Sequence, residues 1–142
     1  MDKIVVDSSV VIKWFVTEQY SAESYRVLDG YQQGELTLLA PDLLNAEIGN
    51  IVWKKYNFQG LAETDAQLII TAFQMLKLSL IPTAALLTDA YRLAITHRRT
   101  VYDMLYLALS LREQCLFITA DERLVNAVNP AFPNVISVVD WP

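Results

Sequence analysis

Four acids stand out by where they fall in the chain. Asp7 closes the β-branched run Ile4-Val5-Val6, and Asp121 follows Leu116-Phe117-Ile118-Thr119 by two positions. Glu47 has Leu43, Leu44, Asn50 and Ile51 three and four positions away, which puts it near the buried face of a helix. Asp103 opens the apolar stretch Met104 to Leu109. A carboxylate in such surroundings is costly unless it is paired, hydrogen-bonded or bound to a metal ion. Each acid also has a local reading. Asp7, Asp103 and Asp121 can cap helices and complement their dipoles, although Ser8 and Ser9 already offer capping hydroxyls beside Asp7. Glu47 can pair with Lys54. As a set, they form an all-oxygen donor group of the kind hard ions such as Mg²⁺ or Mn²⁺ choose. Phosphodiester hydrolysis needs an activated water, charge stabilisation on the phosphate and relief of charge on the leaving oxygen. One or two such ions held by several acids supply all three.

Competing chemistries fit less well. With His97 as the single histidine, neither a Ser-His-Asp triad nor a paired-histidine mechanism is supported. His97, beside Arg98 and Arg99, reads as a surface or substrate-contacting residue. A phosphotransfer site on Asp7 would want a second acid two positions later, where Ser9 stands. Neither GxGxxG nor GxxxxGK is present.

The elements that must position these acids alternate between strand and helix. Strands are expected over Lys3–Val6, Leu36–Ala40, Leu80–Ile81, Leu116–Thr119 and Val135–Val139. Helices are expected over Val10–Phe15 (capped by Ser8 or Ser9), Ser21–Gln33, and from Pro41 in a first turn towards Gly60. Further helices are expected from a Thr64 cap to about Leu78, and over Ala84–Thr96, Tyr102–Gln114 and Glu122–Val128. Short apolar strands separated by helices indicate a parallel sheet covered on both faces. Ligands of such sheets gather beyond the carboxyl ends of the strands, near the switch point. Asp7 and Asp121 fall there.

The 142 residues suit a single domain, 1–142, with a substantial core. A hydrophobic fraction of 54% and a mean hydropathy of +0.27 call for dense burial or an apolar patch kept for a partner. No uncharged apolar run approaches the roughly 18 residues a spanning helix needs, so no membrane role is expected. Asp2 interrupts where a signal peptide would need a positive start. The single Cys115 cannot form an internal disulfide and reads as a small core residue. A cytoplasmic location is expected. The net charge of −5 and pI near 4.7 argue against a simple basic surface for nucleic acid. Acids gathered in one site count toward that −5.

Taken in order, four segments resemble the PIN-domain family, especially the VapC-type toxin ribonucleases of toxin–antitoxin pairs. They are Ile4-Val5-Val6-Asp7-Ser8-Ser9-Val10-Val11, Pro41-Asp42-Leu43-Leu44-Asn45-Ala46-Glu47, Tyr102-Asp103-Met104-Leu105-Tyr106-Leu107-Ala108, and Leu116-Phe117-Ile118-Thr119-Ala120-Asp121. The resemblance spans nearly the whole chain and implies a three-layer α/β/α fold with a central twisted parallel sheet flanked by helices. It further implies Mg²⁺, or Mn²⁺ in its place, at the acids. Cleavage of RNA, a homodimer and neutralisation by an antitoxin protein are implied as well. Under it, Asp7, Glu47, Asp103 and Asp121 become metal ligands or water-positioning groups, with Ser9 and Thr119 as hydrogen bonders behind them. Lys13, Arg98 and Arg99 lead the candidate phosphate contacts, with Arg26, Lys54, Lys55 and Arg92 behind. Solvated helix faces are the plainer account of each. Trp14 and Trp53 can line a groove or belong to the core. The non-enzymatic alternative is a PIN-like binding or scaffold protein whose acids are caps and ion pairs.

Overall fold

The computed structural model describes residues 2–142. Among them are five strands: β1 (Asp2–Val6), β2 (Leu36–Pro41), β3 (Ser79–Ile81), β4 (Leu116–Thr119) and β5 (Val135–Ser137). Seven α-helices connect or flank them: α1 (Ser8–Val11), α2 (Ser21–Gln32), α3 (Leu43–Gln59), α4 (Glu63–Met75), α5 (Leu87–His97), α6 (Val101–Glu113) and α7 (Glu122–Val128). All strand pairs are parallel, in the order β3-β2-β1-β4-β5.

The strand order reverses at β1. From β1 the chain steps outward to β2 and β3, then returns across the sheet to β4 and β5. Right-handed crossovers therefore place α1–α4 on one face and α5–α7 on the other. The packing agrees: α1 meets α2 and α3, and α3 meets α4, while α6 lies on β1, β2 and β4 under α5. The expected three layers are present, with the switch point between β1 and β4.

The core follows from composition. Ile4, Val5 and Val6 are at most 2% exposed, as a strand covered on both faces requires. Met104 through Ser110 are all buried on α6. Asp103 thus stands on a helix that the fold holds firmly, one turn inside its Thr100 cap, whose Oγ1 accepts from the Asp103 backbone N–H at 3.1 Å.

Several boundaries differ from expectation. Asp7, rather than a serine, caps α1, and that helix tightens into a 3₁₀ turn over Ile12–Trp14. Pro41 ends β2 instead of opening a helix. Proline has no N–H to donate, and there the ladder bond comes from Asp42 N to Ile81 O, at 2.8 Å. Thr64 lies inside α4, which starts after Ala62, because α3 closes at Gly60 in the left-handed region (φ 76°) and leaves only a short link. Helix α4 ends at Met75, short of Leu78, and β5 ends at Ser137, giving way to a 3₁₀ turn over Val138–Asp140. Among the described residues, no helix is long and apolar enough to cross a membrane.

Candidate active site

The carboxyl ends of β1 and β4 are adjacent, with Val6 paired to Ile118. This register brings Asp7 and Thr119 together across the switch point. Thr119 Oγ1 donates to Asp7 Oδ2 at 2.5 Å, and Ser9 Oγ donates to Asp7 Oδ1 at 2.5 Å. The Ser9 backbone N–H donates to that same Oδ1 at 3.1 Å, which is the helix cap. Ser9 Oγ also accepts from Ala120 N at 2.9 Å, and Thr119 Oγ1 accepts from Asp121 N at 3.1 Å. Two hydroxyls thus stitch the loop after β4 to the loop after β1 and orient Asp7 from both sides. Thr119 is fully buried and Asp7 is 8% exposed.

Glu47 reaches the same end of the sheet from the first turns of α3, and Asp103 from the start of α6. Tyr106 Oη, one turn beyond Asp103, donates to Glu47 Oε1 at 2.5 Å. Glu47 is therefore bonded to Tyr106, and not to Lys54. Asp121 caps α7, its Oδ1 accepting from Arg123 N at 3.1 Å and Leu124 N at 3.2 Å. The capping and clustering readings of Asp7 and Asp121 are compatible. A carboxylate that caps a helix at the end of a strand still faces the sheet's carboxyl edge.

Burial and neighbouring charge raise three of the acids. Burial pushes Asp7 up to about 6, against the bonds from Ser9 and Thr119, and the Glu47 charge raises it further. Burial also raises Glu47, where Asp103 adds repulsion while Tyr106 and Ser8 hydrogen bonds oppose it. Burial raises Asp103 too; Arg99 lowers it and Asp121 raises it. Glu47 thus acts as a like charge on Asp7, Asp103 on Glu47, and Asp121 on Asp103. Among the described residues, no three Asp, Glu, His or Cys side chains are already drawn together at ligand spacing. The all-oxygen donor chemistry fits a hard divalent ion.

The expected phosphate contacts have different fates. Arg99 Nη2 pairs with Asp103 Oδ2 at 3.3 Å, and its Nε is buried without a partner. Arg98 is exposed in the left-handed turn after α5 (φ 55°). Lys13 is engaged by Glu18 at 3.0 Å with its side chain only 11% exposed, and Lys55 takes the other Glu18 oxygen at 3.2 Å. Trp14 is core, its indole N–H donating to Ser24 O at 2.8 Å, whereas Trp53 is 52% exposed against Phe58. His97 packs edge-on against Phe132. Cys115 is half-buried and packs against the core at its margin. Sequence reasoning assigned Tyr106 no part in the site and Ser8 only a capping one. The available signal for Tyr106 was its place three residues after Asp103, on the same helical face.

Comparison with known proteins agrees with this geometry. The PIN domain family profile matches residues 4–129. Ribonuclease VapC3 of Pyrobaculum aerophilum is 33% identical over 126 residues, covering 86% of this chain and 92% of its own. Ribonuclease VapC1 of Mycobacterium tuberculosis is 30% identical over 139 residues, covering 98% of this chain and 99% of its own. The crystal structure of VapBC2 from Rickettsia felis, bound to a DNA fragment from their promoter, superposes with a TM-score of 0.62 at 16% identity. It covers 95% of this chain and 96% of that one, a likeness of fold. By its profile match and these relatives, the chain belongs to the PIN domain family.

Proposed function

We propose that this protein is a divalent-metal-dependent endoribonuclease and the toxin of a type II toxin–antitoxin pair, working with Mg²⁺ or with Mn²⁺ in its place. The single observation that carries the reading is geometric: Thr119 bonds both Asp7 and the Asp121 backbone at the switch point, and Glu47 is bonded to Tyr106 on the helix that carries Asp103. The names of the relatives, ribonucleases VapC3 and VapC1, support the reaction class, and the VapBC2 complex supports an antitoxin partner.

In this reading Asp7, Glu47, Asp103 and Asp121 hold the cation or position the attacking water. Bound there, the cation would supply charge stabilisation on the phosphate and a more acidic water. Ser9 and Thr119 fix the Asp7 carboxylate by donating to both its oxygens, so little reorientation is left for the moment of reaction. Arg99, once its partner Asp103 turns to the cation, has guanidinium donors to offer a phosphate oxygen. Arg98 adds an exposed charge beside it. Lys13 contributes by exchanging Glu18 for the RNA backbone.

Homodimerisation is part of the proposal. Leu87, Tyr91 and Ile95 recur every four residues on α5 and are 54%, 57% and 62% exposed, with Tyr102 at 61% nearby. That apolar stripe suits a second copy, and light scattering at micromolar concentration showing only monomer would count against it.

Purified protein is expected to cut RNA in Mg²⁺ or Mn²⁺ and to stop when the ion is chelated. It is also expected to melt at higher temperature as the ion is added. A protein that neither cuts nor gains stability is the scaffold of the alternative reading.

A further inference from the structure

We propose that Tyr106 is a positioning residue of the site, its hydroxyl holding the Glu47 carboxylate in the orientation from which it reaches the cation. The inference rests on the metal-dependent reading above and extends it to a residue outside the acid set.

The two partners of this hydrogen bond are unequally constrained. Tyr106 is 3% exposed, and its ring lies nearly parallel to Phe117, with centroids 5.9 Å apart and planes 17° apart. Phe117 is itself fully buried in β4. The tyrosine is therefore fixed by the core before Glu47 is considered. Glu47 is only half-buried, in the first turns of α3, with three side-chain torsions that solvent would leave free. The bond of 2.5 Å between Tyr106 Oη and Glu47 Oε1 then acts mainly on the carboxylate. It also joins a residue of α6 to one of α3, helices that lie on opposite faces of the sheet. The joint lies at the carboxyl edge, between the helices that carry Glu47 and Asp103.

The hydroxyl suits this place for a further reason. A lysine or arginine here would neutralise Glu47 and compete with a cation. A phenol donates one hydrogen bond and leaves the carboxylate charge in place. Because Asp103 precedes Tyr106 by one turn, one helix delivers an acid and the group that orients another.

A double-mutant cycle tests the role by Mn²⁺ affinity, read by titration calorimetry on the parent, Tyr106→Phe, Glu47→Gln and the double variant. Tyr106→Phe keeps the ring and its stack on Phe117, and the half-exposed Glu47 can hydrate, so the fold is retained. The expected result is an affinity about 10- to 100-fold weaker in Tyr106→Phe, the range seen when an orienting partner of a ligand is lost. In the Glu47→Gln background the same change is expected to add nothing, since it acts through Glu47. Affinity equal to the parent's, or a loss that adds in full to that of Glu47→Gln, overturns the role. A merely structural hydroxyl would lower the melting temperature equally with and without Mn²⁺. A parent that binds no Mn²⁺ would overturn the metal-dependent reading, and this inference with it.

Discussion

Thr119 donates to Asp7 across the boundary between β4 and β1, at 2.5 Å, although the two residues lie near opposite ends of the chain. The same Oγ1 accepts from the Asp121 backbone N–H at 3.1 Å, so one hydroxyl is shared between the first and last of the four acids. Thr119→Val keeps the shape and removes both bonds, leaving a buried carboxylate oxygen and an N–H short of a partner. The expected cost is about 1–3 kcal/mol of stability, with no compensating gain in packing. Mn²⁺ affinity is expected to fall roughly tenfold or more alongside it. Urea unfolding and calorimetry check the two effects, and a variant as stable as the parent would remove Thr119 from the site.

The buried Asp7 sets a pH dependence of opposite sign to the usual acid effect. Its folded value of about 6 lies above the ordinary 3.8, so without metal the folded state holds this proton more tightly than the unfolded chain. This group's contribution is fullest below about pH 4 and is lost as pH rises through about 6, on the order of 3 kcal/mol. Asp7→Asn cannot ionise. Metal-free Asp7→Asn is therefore expected to be more stable than the parent near neutral pH, with the gap closing below about pH 4. Urea midpoints across a pH series check this, and a gap that does not change with pH would contradict it.

Arg99 pairs with Asp103 at 3.3 Å, on the carboxylate that the proposed cation would use. Arg99→Gln removes that competitor, so Mn²⁺ is expected to bind roughly three- to tenfold tighter, the effect of deleting one positive charge near a water-accessible site. RNA binding is expected to weaken, with the slope of log affinity on log salt falling by about one. Metal affinity that falls in this variant would show that Arg99 supports the cation site instead of competing for it.

The strands and most helices were legible because β-branched runs and long apolar stretches leave few other ways to bury them. The place of Asp7 and Asp121 at the carboxyl edge was legible too, because each follows a strand that composition alone defines. The caps were less so. Asp7 was set apart from capping because serines stood beside it, yet one carboxylate both caps α1 and faces the sheet's edge. Thr64 resembles a cap by type, and the left-handed Gly60 moved the helix start past it. Tyr106 stayed hidden inside an apolar run, where an aromatic residue reads as core. Its pairing with Glu47 depends on two helices from opposite faces reaching each other at the sheet's carboxyl edge, which no local spacing reveals. Lys13 looked available as a cation, but Glu18, five residues on, engages it.

The most direct measurement is cleavage of a mixed RNA panel by parent and Asp103→Asn, each with Mg²⁺ or Mn²⁺ and with chelator. Asp103 lies one turn inside a capped helix whose buried face does not depend on its charge, so the variant is expected to fold. The parent is expected to cut only with the ion, and the folded variant to lose at least about 100-fold in rate, close to 3 kcal/mol of transition-state stabilisation. Cleavage by a folded Asp103→Asn at the parent's rate, or cleavage by the parent that survives chelation, would contradict the account.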